Sequence, residues 1–166
     1  MKIIFCFIAI TLVLWGCKKE STVCPPTNTS SKDLLAPCTL EENQYSPGHF
    51  YNSVTISNES NPIFPYSNYQ VTFNDSLSGA STTFAFKKEP ETGTYSPRDT
   101  LNSETYKQVS IQVLEGTFPF NSHSSNDTIY VESNDNYLLI SYCNFTLYNN
   151  LTGSTLLRSQ LCRVVK

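Results

Sequence analysis

Six cysteines, at positions 6, 17, 24, 38, 143 and 162, carry most of the reactive chemistry available to this chain. Cys17 is set apart by what precedes it. Met1-Lys2 gives a positive start, Ile3 to Trp15 runs without a charge, and Gly16 stands directly before the thiol. A secretory signal needs a positive n-region, an apolar stretch of roughly 7–15 residues and small residues at the cleavage point. Leu14-Trp15-Gly16-Cys17 therefore reads as a lipobox, with Trp15 bulkier than is usual there. Cleavage before Cys17 makes this cysteine the mature N-terminus, with diacylglycerol on sulfur and a third acyl chain, of the palmitate class, on its amine. A membrane-spanning helix wants about 18 or more apolar residues, and this run is too short. Each buried methylene adds about 0.8 kcal/mol, so several long chains hold such a protein at a membrane durably.

Cys6 leaves with the signal and Cys17 is used for lipid. Cys24, Cys38, Cys143 and Cys162 remain, an even count for an oxidising, exported compartment. An even-length hairpin turning at Thr152-Gly153 sets Cys143 directly opposite Cys162, within disulfide range. Cys24–Cys38 is then the remaining pair. That register leaves Leu147 facing Arg158 and Asn144 facing Leu161. A one-residue offset would align Leu147 with Leu157 and Cys143 with Leu161, turning Cys162 outward. The hairpin disulfide is the expectation adopted. No CxxC or HxxxH spacing occurs, so no metal site is expected.

The remaining chemical candidates are weak. His49 and His123 are the two histidines, both in loop-like stretches. Ser122, His123 and Asp127 supply the letters of a nucleophile, base and orienter, but no GxSxG elbow accompanies them, and a solvated loop is the better reading. Asn134-Asp135-Asn136 offers oxygens to calcium, yet it lacks the EF-hand pattern and sits where a hairpin needs its turn. Six Asn-x-Ser/Thr sequons, starting at Asn28, Asn58, Asn74, Asn126, Asn144 and Asn150, follow from a composition rich in those letters. No Gly-rich phosphate loop is present. No catalytic residue and no cofactor are expected. Phe64, Tyr66 and Tyr69, beside Pro62 and Pro65, form the one candidate binding feature, an aromatic platform for a sugar or peptide. The competing reading is that these rings cap the core.

The elements that must carry these residues are strands. Without residues 1–16 the chain has 150 residues, enough for one domain with a sizeable core. It loses one lysine, so the formal charge of −3 becomes −4, which argues against a nucleic-acid partner. Charged residues are 15% of the chain against roughly 25% in typical globular domains, and Ser, Thr and Asn supply about a third. Such a surface suits antiparallel sheet and tight turns. Ten Tyr and ten Phe are too much aromatic surface for a disordered chain. Residues 17–44, with Pro25, Pro26 and Pro37, read as a lipid-anchored tether, and 45–166 as the β domain.

Within that domain, alternation puts Phe50, Asn52, Val54 and Ile56 on one strand face. Tyr69, Val71 and Phe73 share another, Thr82, Phe84 and Phe86 a third, and Val109, Ile111 and Val113 a fourth. Further strands follow at 129–132, 137–147 and 154–165. Turn-forming clusters separate them, at Asn61-Pro62, 75–79, 90–93, 121–126 and 134–136. The expected fold is all-β: an antiparallel β-sandwich of about 7–9 short strands. The alternative is a small up-and-down barrel of the lipocalin kind, which would enclose a ligand cavity and which this domain is small for.

Cys17-Lys18-Lys19-Glu20 resembles the mature start of many lipoproteins from Bacteroidota. Cys38-Thr39-Leu40-Glu41-Glu42-Asn43, Thr92-Gly93-Thr94-Tyr95, Tyr142-Cys143-Asn144-Phe145-Thr146-Leu147 and Leu161-Cys162 are similar to a group of small β-rich lipoproteins in those bacteria, mostly without an assigned function. The resemblance implies lipidation and a β fold, and no catalytic residue. The function expected is that of an outer-membrane or envelope lipoprotein, not an enzyme, whose domain binds a glycan, a protein or a small apolar ligand. A hydrolase with no recognisable motif is the alternative.

Overall fold

The computed structural model describes residues 41–46, 49–59, 63–101 and 107–166. The expected signal peptide and the tether before Glu41, with Cys17, Cys24 and Cys38, lie outside the described residues. Those described hold strands and no helix. A two-stranded ribbon, β1 (Gln44–Ser46) and β2 (His49–Phe50), comes first. The nine-stranded sheet follows: β3 (Ser53–Ser57), β4 (Tyr69–Asn74), β5 (Ser81–Phe86), β6 (Gly93–Arg98), β7 (Gln108–Glu115), β8 (Phe118–Asn121), β9 (Ile129–Ser133), β10 (Tyr137–Tyr148) and β11 (Thr155–Val165).

The alternating apolar residues sit in rungs across neighbouring strands. Val71 opposes Phe84, which opposes Ile111; Tyr69, Phe86 and Val109 form a second rung, and Phe73, Thr82 and Val113 a third. Val54 and Ile56 extend the rows onto β3. A one-residue slip would turn every one of these side chains to solvent, which is why the register of β3-β4-β5-β7 follows the pattern. The second layer, β11-β10-β9-β6, lies across the core from it. Phe84 of β5 meets Tyr142 of β10 edge-on at 6.2 Å, and the Gln160 side chain of β11 reaches Thr82 at 3.1 Å.

The all-β expectation holds, and the molecule joins its two versions. The layers pack as in a sandwich, while β10, β9, β6, β7 and β8 close a five-stranded ring through the β8 pairings to β7 and β10. The β6–β7 pair is parallel, so the order is not that of a simple up-and-down barrel. Sequence patterning misses β6 and β8, which carry Pro97 and Pro119. Proline cannot donate to a ladder. β6 accommodates it by changing partner: Gly93, Thr94 and Tyr95 pair with β9, and Ser96, Pro97 and Arg98 with β7.

The Cys143–Cys162 disulfide does not form. The hairpin register is neither of the two anticipated, because Asn149 and not Thr152-Gly153 organises the turn. Its Oδ1 accepts the amides of Leu151 and Thr152, and its N–H donates to Ser154 O at 2.9 Å. Leu147 therefore opposes Leu156. Farther down, Cys143 and Asn144 form a bulge facing Ser159 alone, and Asn144 adopts φ +52°. Cys162 ends opposite Ile140, fully buried and far along the ladder from the position facing Cys143.

β11 is the last strand of its layer, and an exposed edge invites pairing with other chains. Here it is covered. Asn43 donates its N–H to Leu161 O at 2.6 Å and accepts from the Arg163 amide, and Glu42 pairs with the Arg163 guanidinium at 3.0 Å. Both residues are 3% exposed. Glu42 and Asn43 thus take part in the edge contacts of the sheet.

Candidate functional site

The aromatic platform is not assembled. Phe64 and Tyr69 are buried at 6% exposure, and burial pushes the Tyr69 phenol up to about 12. Tyr66 alone stands in solvent, at a left-handed φ of +67° beside exposed Ile63. The other weak candidates also resolve as structure. Ser122 Oγ is buried, bonded to Arg98 O and to the Ile111 amide, while Asp127 accepts from Ser125. His123 packs edge-on to Tyr148. Asn134 Oδ1 accepts the amides of Asn136 and Tyr137, closing the β9–β10 turn. Among the described residues no cluster of three His, Cys, Asp or Glu has the arrangement to hold a metal ion.

Among the described residues, a concave feature lies where the ribbon meets the ends of β5 and β7. Tyr45, His49, Ser78, Ala80, Glu115 and Gly116 line a pocket of about 280 Å3, open to solvent. Tyr45 stacks on Tyr51 at 4.6 Å and has His49 at 5.9 Å. Its hydroxyl donates to Asp75 at 2.7 Å and lies 2.8 Å from Ser78 Oγ. Burial opposes ionisation of Asp75, but donors from Ser78, Tyr45 and the Leu77 and Ser78 amides prevail and hold its carboxyl down at about 2. Burial also raises the Tyr45 phenol. Asp75 is therefore a fixed carboxylate at neutral pH, not a proton donor or acceptor poised for exchange.

Beneath this pocket runs a polar ladder through the core. Arg158, its side chain 4% exposed, pairs with Glu115 and lies over the Tyr45 ring at 5.1 Å. Its Nη1 is buried without a protein partner. Deeper, Gln160 Nε2 donates to Tyr51 Oη at 2.6 Å and to Thr82, and Gln160 Oε1 accepts the Tyr142 hydroxyl at 2.7 Å. Burial raises the Tyr51 and Tyr142 phenols, so both stay protonated.

Sequence reading singles out His49 in this region and none of Tyr45, Ser78, Glu115 or Arg158. They arrive from four separate segments and meet through the β11 register, which no local pattern announces. The usable signal is Arg158 and Gln160 at inward positions of an otherwise apolar strand. Comparison of the chain with protein-family models, curated proteins and solved structures finds no match.

Proposed function

We propose that this chain is a lipid-anchored cell-envelope lipoprotein of the outer membrane whose β domain is a non-enzymatic binding module. The observation that carries the reading is the layout from Met1-Lys2 through the uncharged run to Gly16-Cys17. It is compatible with the absence, among the described residues, of any helix long and apolar enough to cross a membrane.

Binding belongs to the pocket between the ribbon and the β4–β5 and β7–β8 turns. Its mixture of aromatic rings, hydroxyl and carboxylate suits one unit of a glycan, with ring faces beside the apolar patches and hydroxyls at Ser78 and Glu115. Binding is favoured over catalysis because both carboxylates here are committed, Glu115 on the pocket wall to Arg158 and Asp75 behind it to Tyr45 and Ser78.

Intact-mass analysis of the membrane-extracted protein tests the anchor. The expected species starts at Cys17 and carries acyl chains, and Cys17→Ala either releases the protein or leaves the precursor uncleaved. A mature, unacylated wild type ends the reading.

A further inference from the structure

The side chains around the pocket between the ribbon and the β4–β5 and β7–β8 turns present hydrogen-bond acceptors and negative charge, with hardly a donor among them. From this we infer that the pocket selects a sugar unit bearing a free, protonated amine over neutral and acidic sugars. The inference rests on the binding reading of the same pocket and names its ligand class.

The first observation is a proton count. The hydroxyls of Tyr45 and Ser78 carry one proton each. Tyr45 Oη donates to Asp75 Oδ2 at 2.7 Å, and Ser78 Oγ donates to the same oxygen at 2.7 Å. The 2.8 Å contact between the two hydroxyls adds no further proton, whichever of them donates in it. Both protons are thus held inside the triangle, and a ligand meets these groups through lone pairs. Ser78 Oγ already acts this way toward the Ala80 amide, which it accepts at 3.1 Å. Of the lining residues, His49 is the one with a side-chain donor to spare.

The second observation is charge. Asp75, whose carboxyl is held down at about 2, and Glu115 supply two carboxylates against the single guanidinium of Arg158. These three groups sum to one net negative charge. They are also unequally placed: the Glu115 side chain is 37% exposed and that of Arg158 only 4%, so a ligand meets the carboxylate and not the cation behind it. Arg158 takes Glu115 Oε1, while Oε2 has no partner among the described residues. An ammonium answers both observations, with three donors, no acceptor and a positive charge. The buried Arg158 Nη1, without a protein partner, would suit an acid instead, but an acid reaches it only by displacing Glu115.

Amide NMR of the full chain in detergent micelles tests the selection, with glucosamine, N-acetylglucosamine, glucose and glucuronate as probes at about pH 7, where a primary amine with a pKa near 8 is largely protonated. Shifts centred on the Ala80 and Gly116 amides locate the ligand. One ammonium roughly 6 Å from one net negative charge, at a dielectric between those of a protein surface and water, gains roughly tenfold in affinity. Glucosamine should therefore saturate these shifts at roughly a tenth of the concentration needed for glucose or N-acetylglucosamine, and glucuronate should be the weakest. Raising the salt to about 0.5 M should shrink the preference to about threefold or less. Glu115→Gln, which keeps an oxygen for Arg158, should abolish most of it; the salt series needs no variant and decides by itself if this one does not fold. Equal saturation by glucose and glucosamine, or tighter binding of glucuronate, overturns the selection and leaves the glycan pocket standing. No shift at Ala80 and Gly116 with any of the four sugars overturns the glycan reading as well.

Discussion

Two hairpins of this domain are closed by the same six-residue turn, yet one carries a straight ladder and the other a broken one. Asp75-Ser76-Leu77-Ser78-Gly79-Ala80 joins β4 to β5, and Asn149-Asn150-Leu151-Thr152-Gly153-Ser154 joins β10 to β11. In each, the first residue donates its N–H to the sixth carbonyl and accepts the fifth amide. Its side-chain oxygen takes the third amide, and a hydroxyl at the fourth position takes the sixth. The glycines adopt φ +75° and +72°, open to glycine without strain. Even the exposed apex leucines match, at 93% and 85%. Turn chemistry thus does not account for the difference between the hairpins; what the strands point into the core does. β4 and β5 send Val71, Phe73, Phe84 and Phe86 inward, whereas β11 sends Arg158, Gln160 and Cys162.

The largest effect should come from the apolar hairpin. Phe84→Ala removes a fully buried ring that touches both Phe73 and Tyr142, so it should cost about 3–5 kcal/mol in denaturant unfolding. A loss below about 1 kcal/mol would mean that the β4–β5 rungs are not the core. Gln160→Leu probes the polar hairpin. It keeps the volume but leaves the Tyr142 hydroxyl without its acceptor and Tyr51 without its donor, for an expected cost of about 2–3 kcal/mol. An unchanged or raised stability would show that the ladder is replaceable by apolar packing.

Asp75→Asn makes the first turn resemble the second. It exchanges the Oδ2 acceptor of Tyr45 and Ser78 for a donor. The sign of its pH dependence follows from a folded value of about 2, below the ordinary carboxylate value of 3.8. Stability from Asp75 is then complete above about pH 4 and is lost as pH falls from about 4 to 2. With Ser78 exposed and solvent near, the contribution is discounted to about 1–2 kcal/mol. Wild type should lose that much more than Asp75→Asn across this window in urea titrations, and parallel pH profiles would remove Asp75 from the network.

The two hairpins also mark what the sequence discloses. The runs Tyr69–Phe73 and Val109–Val113 alternate cleanly, so their strands and inward faces are legible from residue types alone. β6 and β8 are not, because Pro97 and Pro119 break the pattern and only the change of partners along the sheet accommodates them. Of the pocket, His49 is the one residue a local reading finds. Tyr45, Ser78 and Glu115 converge only after β11 has its register, and that register depends on one extra residue in β10. The misplaced Cys143–Cys162 pair has two origins: symmetry about Thr152-Gly153 ignores the turn led by Asn149, and the bulge at Cys143-Asn144 shifts the register once more.

That extra residue gives the smallest and sharpest test. Asn144 sits at φ +52° in the bulge, its N–H donating to Ser159 Oγ at 2.7 Å. Left-handed backbone costs a β-branched residue about 1–2 kcal/mol, asparagine less and glycine nothing. Asn144→Gly should therefore be close to neutral, within about 0.5 kcal/mol of wild type once the greater freedom of the unfolded chain is set against the relief of strain. Asn144→Val should cost about 1–2 kcal/mol, though the side chain is exposed. Equal stabilities for the Gly and Val variants would mean that the bulge can be expelled. The hairpin would then revert to a straight ladder with the faces of Arg158 and Gln160 exchanged, and the β4–β5 and β10–β11 hairpins would no longer differ.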